Sequence, residues 1–477
     1  MKNVLIGRKK EQDILKKALA SNEAEMVAVL GRRRVGKTFL ITETYHKHIT
    51  FEITGLQNAN LERQLAHFSF SLQRQSKGKA PLKEPKNWLE AFQQLVLYLD
   101  DLPKKEKQVV FLDELPWLAS PKSGFLTGLG FFWNSWAVRE HIVVVICGSA
   151  ASWMIQKVVN NTGGLYNRIT KRIYLKPFTL AETRSYLKSK YLNFTDYQIV
   201  QIYMAMGGIP HYLKEIESGK SAIQNIDTIC FSDNGLLKDE FGRLFLSLFA
   251  NADKHIAIIR ALATSHQGLT RTKLVKIAKI PEGGNTTKVL AELEQSGFIS
   301  TYFPFGKKKK GKLFRLTDEY SLFYLKFIED NNNEGANTWQ QLSQTQAFKT
   351  WSGYAFENIC LKHIPQIKEA LKIAGIYSIS SSFNKKGSKA EKGTQIDLLI
   401  DRNDQVINLF EIKFYNTEWS LTEAYAKNLR NKLRVFQETT KTKKYLMLSL
   451  ITTFGLKQNQ HSLGFIEKVI TLADLFE

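Results

Sequence analysis

Apolar positions along the chain fall into distinct rhythms. Short unbroken runs, Met26–Leu30, Val109–Leu112 and Ile142–Ile146, each stop at a polar or glycine-bearing turn. That is the pattern of strands buried on both faces in a parallel sheet. Helical spacing separates them: Ile14 and Leu15 beside Ala18 and Leu19 predict a helix over Gln12–Ala20, and another opens at Phe39. Thr179 and Glu182 form a capping box that starts a mostly helical stretch to about Ala250, broken at Gly207–Gly208–Ile209–Pro210. His255–Thr264 and Thr270–Ala278 then read as helices, Pro281–Gly284 as a turn, and Asn285 as the cap of a third helix stopped by Gly297. Phe298–Phe303 and Lys312–Leu316 follow as two strands around a tip at Gly306–Gly311. Asp330–Thr338, DNNNEGANT, is polar throughout and reads as a linker. Beyond it Trp351–Leu361 is helical, Gln395–Asp401 a strand, Arg402–Gln405 a turn and Val406–Lys413 the returning strand. The predicted fold class is α/β in four parts: 1–177, 178–252, 253–330 and 339–477.

Composition adds one strong constraint. The 477 residues carry 67 Lys and Arg against 45 Asp and Glu, a net charge of +22. Such a surplus favours a polyanionic partner, nucleic acid first and an acidic membrane second. The three cysteines, Cys147, Cys230 and Cys360, are far apart and lack CxxC spacing, so neither a disulfide framework nor a zinc site is indicated. No apolar run approaches the ~20 residues of a membrane helix, and the N-terminus lacks an apolar signal segment. A cytoplasmic protein with no membrane partner is expected.

The chemistry begins in GRRRVGKT. Gly31, Gly36, Lys37 and Thr38 match GxxxxGK[ST] between a strand and a helix, the context a P-loop requires. Glycines let consecutive backbone N–H groups point inward, and the helix N-terminus adds positive potential for phosphates. Lys37 is expected on the β- and γ-phosphates of ATP, and Thr38 on Mg²⁺. Val109–Leu112 ends in Asp113 and Glu114, a Walker B arrangement. Asp113 is expected to hold Mg²⁺ and Glu114 to orient or activate the attacking water. Ser149, after the third strand, is a candidate γ-phosphate sensor, and Arg168 a candidate arginine finger in cis or in trans. The cluster FFWNSW, Phe131–Trp136, reads as helix packing in preference to a base-stacking platform.

GRRRVGKT, FLDEL, the strand ending in CGS, and GGIPHYL together resemble the archaeal-type ATPase family, a branch of the AAA+/STAND P-loop ATPases. The resemblance implies a parallel-sheet ATPase core (1–177) with a helical lid (178–252), a winged helix-turn-helix (253–330) and a C-terminal nuclease-like domain (339–477). It implies an ATP-driven switch or motor. DNA is the expected partner, and whether the chain also forms a homo-oligomer is left open.

Three helices followed by a basic hairpin are the winged variant of the helix-turn-helix. The third helix would enter the major groove with Thr286, Thr287 and Lys288 leading, while Lys307, Lys308, Lys309 and Lys310 contact phosphate. In the last part, a hairpin turning near Asn403 sets Asp397 almost opposite Glu411, roughly 5 Å between side-chain origins. Lys413 shares the Glu411 face. Two carboxylates and a lysine in an otherwise apolar sheet ask for a divalent cation. The alternative is a hairpin whose carboxylates pair with lysines. D-x(13)-ExK after a Glu-bearing helix resembles the PD-(D/E)xK nuclease superfamily, with a restriction-endonuclease-like α/β fold, although Gln395–Ile396 replaces the proline that commonly precedes the aspartate. Carried over, Asp397 and Glu411 bind Mg²⁺ or Mn²⁺, Glu357 is an outer ligand and Lys413 steadies the attacking water. The expected function is an ATP-binding and hydrolysing protein that engages DNA and cuts it with the C-terminal domain. The rival is an ATP-gated regulatory or defence switch that binds DNA or a protein without cleaving.

Overall fold

A computed structural model of the chain describes residues 5–78, 83–103, 105–160, 162–249, 251–307, 311–331, 337–387 and 393–477. The chain divides after Pro177 into two compact units.

The first unit is built on a parallel five-stranded sheet. Its strands are β1 (Glu25–Leu30), β2 (Ile49–Thr54), β3 (Gln108–Asp113), β4 (Ile142–Gly148) and β5 (Lys171–Tyr174), in the order β2-β3-β4-β1-β5. Every residue of β1, β3 and β4 is buried, as their continuous apolar runs require. All carboxyl ends lie on one edge, and the P-loop leaves it from β1, between β4 and β5. Helices Leu61–Gln75, Trp88–Asp100 and Phe125–Ser135 contribute aromatic side chains to the core on one side. Phe132 stacks on Phe92 with centroids 5.2 Å apart and Trp133 is buried, so these two rings of the FFWNSW cluster are packing, while Phe131 is 48 % exposed.

The second unit opens with helices Leu180–Ser189, Asp196–Met206, Ala222–Phe231 and Glu240–Leu248. The Thr179–Glu182 capping box is present at the first of them. Gly208 is fixed by close approach: a Cβ there would lie 2.1 Å from the Phe178 carbonyl oxygen. Next come helices Asp253–Ala263, Arg271–Ala278 and Gly284–Gln295. They accompany a small antiparallel sheet of β6 (Leu269–Thr270), β7 (Ile299–Tyr302) and β8 (Leu313–Leu316), ordered β6-β8-β7. The third of these helices begins one residue before Asn285, with Gly283 at the N-cap position.

The C-terminal part holds a mixed sheet of β9 (Ser378–Lys385), β10 (Thr394–Arg402), β11 (Val406–Lys413), β13 (Tyr445–Thr452) and β15 (Lys468–Ile470), ordered β15-β13-β11-β10-β9. A two-stranded parallel pair, β12 (Trp419–Ser420) and β14 (Leu456–Lys457), lies beside it in sequence. Helix Glu423–Thr440 makes the crossover from β11 to parallel β13. Helix Gln346–Lys362 packs on β11. All three cysteines are buried and free. Among the described residues no helix is long and apolar enough to cross a membrane.

Candidate functional site

The P-loop is shaped by two glycines. Gly36 adopts φ 89° and ψ 29° immediately before helix Lys37–Tyr45. Gly31 has φ 154°, and a Cβ there would fall 2.4 Å from the Leu175 carbonyl oxygen. Lys37 is buried and its Nζ donates to the carbonyls of Gly31 and Arg32, at 2.9 Å each. The ammonium thus lies inside the loop whose N–H groups would cradle phosphate. Arg8 braces the same loop through Nη2 to the Val35 carbonyl, 3.3 Å.

Thr38 and Asp113 are joined directly: the Thr38 hydroxyl donates to Asp113 Oδ2 at 2.7 Å. Two motifs from separate strands therefore converge on one point, with oxygen ligands suited to a hard cation. Burial pushes the neighbouring Cys147 thiol well above its ordinary value, and the Asp113 charge adds to this. Glu114 follows with a left-handed backbone, φ 46° and ψ 51°. Its Oε2 accepts from the Ser149 hydroxyl at 2.8 Å and from the Ser149 amide at 3.2 Å. Ser149 is thus the partner of the Walker B glutamate, a pairing that spacing along the chain does not signal. Arg168 is elsewhere. It is exposed on the turn into β5, and Thr170 pairs with Met26 at the start of β1. That is the sheet edge opposite the P-loop, so a role in cis is excluded by the register.

In the second unit the hairpin register runs Leu398↔Phe410 and Leu399↔Leu409, which carried one step further sets Asp397 opposite Glu411. A bulge in β10 falls between Ile396 and Leu399, where pairing with β9 shifts. Asp397 lies within it, and such bulges re-aim side chains. The Asp397 carboxylate accepts from the Gln395 amide. Glu411 is enclosed: Tyr425 donates to Oε1, Lys432 reaches Oε2 at 2.9 Å and Lys413 reaches Oε1 at 2.8 Å. Burial opposes its charge, but Lys413 and Lys432 hold it below the usual carboxylate range. Glu357, on helix Gln346–Lys362, responds the other way. Burial, with Asp397 nearby, pushes its carboxyl up to about 8.

Asp397, Glu411, Lys413 and Glu357 are therefore brought together, yet their carboxylates do not form a ready metal cage. Among the described residues no three His, Cys, Asp or Glu side chains are placed to hold a metal ion. The physical reason is that lysines and a tyrosine already take the oxygens of Glu411, as in the ion-paired alternative.

Of the expected DNA contacts, Thr286 is corrected. Its side chain is buried, 2 % exposed, and its hydroxyl donates to the Pro281 carbonyl at 2.6 Å. Thr287 and Lys288 are exposed, though Thr287 accepts from Arg271 Nη1 at 2.9 Å. Lys307 is exposed on the loop between β7 and β8. Lys308, Lys309 and Lys310 lie outside the described residues.

Residues 5–216 match the family described as the ATPase domain predominantly from Archaea. This part of the chain is an archaeal-type ATPase domain with a P-loop parallel sheet. A relative in Methanocaldococcus jannaschii, the uncharacterized protein MJECL04, is 23% identical over 421 residues, covering 86% of this chain and 88% of its own. The Walker-type ATPase PABY2304 of Pyrococcus abyssi aligns with a TM-score of 0.50 and 18% identity, over 67% of this chain and 96% of that one. The ORC2 protein of Aeropyrum pernix, in ADPNP-ADP complexes, aligns with a TM-score of 0.43 and 16% identity, over 72% and 98% respectively.

Proposed function

We propose that this protein binds and hydrolyses ATP to control engagement of DNA, and that its C-terminal domain (339–477) is a metal-dependent nuclease. One observation carries the ATP reading: the 2.7 Å bond between Thr38 and Asp113, residues 75 apart in sequence. Gly31, Gly36 and Lys37 would cradle the phosphates, and Thr38 and Asp113 would hold Mg²⁺, which supplies charge neutralisation at the β- and γ-oxygens. Glu114 would position the attacking water after leaving Ser149, and Ser149 would then be free to sense the γ-phosphate. Arg168 would act only in trans, in a homo-oligomer.

For DNA, the support is the net charge of +22 and the three helices with a hairpin at 253–330, which we read as a winged helix. Thr287 and Lys288 would face bases, and Lys307 to Lys310 the phosphates. For cleavage, the support is the facing pair Asp397 and Glu411 with Lys413. Both carboxylates, with Glu357 behind them, would hold a divalent cation once Lys432 swings away from Glu411. Lys413 would steady the developing charge. A second reading is favoured by the enclosure of Glu411: a switch that binds DNA or a protein and does not cut.

Plasmid and linear DNA incubated with Mg²⁺ or Mn²⁺, with and without ATP, separate the two. Cutting by the wild type that vanishes in Asp397→Ala is the expected result, and Lys37→Ala reports whether ATP licenses it. Intact ATP hydrolysis with no cutting under any condition sinks the nuclease reading and leaves the switch.

A further inference from the structure

Within the second unit, a cavity of about 80 Å³ opens between helix Asp253–Ala263, strand β8 and helix Gln346–Lys362. Its polar lining consists of Ser265, His266, Arg315, Lys326, Tyr354 and Asn358, and no Asp or Glu lines it. Arg315 is 8 % exposed, and its ion pair with Glu357 is long, 3.9 Å between Nη2 and Oε2. A guanidinium so buried, with the Glu357 carboxylate beyond hydrogen-bond distance, favours an anion beside it. The His266 ring is held in place by stacking on Tyr354, with centroids 3.7 Å apart and planes 9° from parallel. Asn358 is 2 % exposed and its buried Oδ1 has no hydrogen-bond partner among the described residues.

The placement matters as much as the composition. Arg315 reaches Glu357, and Glu357 in turn feels the charges of Asp397 and Glu411. The cavity therefore adjoins the acidic group, on the side of the 253–330 module. That module is fastened to the sheet there. The Phe305 amide donates to the Ser382 carbonyl at 2.7 Å, Phe305 packs on Phe436, and the Gln267 amide reaches Gln395. Arg315 is thereby presented to the site by an element outside the domain that carries the carboxylates.

We infer that this cavity is a phosphate subsite, in which Arg315 and Lys326 take one phosphodiester of a nucleic-acid strand lying across Asp397 and Glu411. Ser265 and His266 add neutral donors at its rim. Asn358 Oδ1 accepts from a hydroxyl or water that accompanies the bound group. The assignment rests on the reading of the second unit as one that handles nucleic acid.

The test measures binding of a fluorescent oligonucleotide by the full chain in EDTA, where no cutting takes place, across a series of salt concentrations. Arg315→Gln and Lys326→Ala should each weaken binding about tenfold and lower the salt slope by about one. Lys326 is exposed, so its variant is expected to fold, and melting curves report on Arg315→Gln. Inorganic phosphate should raise the melting temperature of the wild type and not that of Arg315→Gln. Unchanged oligonucleotide affinity in both variants, with the same phosphate-dependent melting shift in Arg315→Gln as in the wild type or with none in either, overturns the subsite. A phosphate-dependent melting shift lost in Arg315→Gln, with oligonucleotide affinity unmoved, makes the ligand a free phosphate and overturns the strand assignment. Asp397→Ala, assayed separately in Mg²⁺ or Mn²⁺, should abolish cutting. If cutting persists in it, the nuclease reading fails and the subsite stands.

Discussion

Gly31 and Gly36 belong to one motif, yet they are glycine for different reasons. At Gly36 a side chain would meet nothing within 4 Å, and only the φ of 89° is strained. That left-handed backbone costs an ordinary residue about 1–2 kcal/mol. At Gly31 a Cβ would strike the Leu175 carbonyl oxygen at 2.4 Å, where the Leu175 amide also donates to the Leu30 carbonyl at 2.7 Å. Backbone must move, at an overpacking cost of about 1–3 kcal/mol or more, and the loop would move with it. Gly31→Ala is expected to lower the melting temperature more than Gly36→Ala and to lose the stabilisation that ATP gives the wild type. Equal melting temperatures for the two would refute this account. The motif residues themselves were legible in the sequence because a P-loop is a local pattern. Ser149 beside Glu114 was legible only as a nearby polar residue, since strand order brings the two together. Thr286 was misread, although the signal was present. It lies three, four and seven residues before Val289, Leu290 and Leu293, all buried, and so belongs to the inward stripe.

Elements with a continuous apolar run were plain in the sequence, and polar ones were not. The strand β9 reads SISSSFNK, with mostly exposed or half-buried positions, because it is an edge strand. Its partner β10 was foreseen, but the bulge at Asp397 depends on β9 and could not be read without it. Contacts between distant helices were equally hidden, and His363 is the clearest case. Its Nδ1 donates to the Ile359 carbonyl at 2.8 Å, and its Nε2 accepts from the Leu180 amide at 3.1 Å, the first turn of helix Leu180–Ser189. Both ring nitrogens are satisfied only in the neutral form. Burial lowers its pKa to about 4, with the Ile359 carbonyl opposing and Lys362 reinforcing the shift. The unfolded chain, with an ordinary histidine near 6.5, binds a proton that the folded chain refuses. Stability from this group is therefore complete above about pH 6.5 and is lost as pH falls towards 4, by up to about 1.4 kcal/mol per pH unit. His363→Gln should flatten that part of the stability profile when denaturant midpoints are measured from pH 7 to pH 4. Parallel profiles for variant and wild type would count against it.

Over the whole chain the question is whether two compact units communicate. ATP binding in the first unit and the nucleic-acid binding proposed for the second need not be linked by any particular contact. If they are linked, the coupling must be reciprocal: a factor by which ATP changes DNA affinity is the factor by which DNA changes ATP affinity. Hydrolysis obscures that equality, so it is best measured in a chain that binds ATP and does not turn it over. Glu114→Gln is suited to this because Gln keeps an oxygen to accept from Ser149, as Oε2 of Glu114 does at 2.8 Å, and cannot serve as a base. Its hydrolysis is expected to fall at least about a hundredfold, the scale of a lost general base, with ATP affinity kept within a few fold. In this variant DNA titrations with and without ATP, and ATP titrations with and without DNA, should give one common factor of about 5–150, the usual range of allosteric coupling. The direction distinguishes mechanisms: tighter DNA binding with ATP describes a clamp loaded by nucleotide, weaker binding a release device. A factor of one in both titrations would leave an ATPase and a DNA-binding region that share a chain without sharing a switch. The proposal of ATP-controlled engagement would then be abandoned.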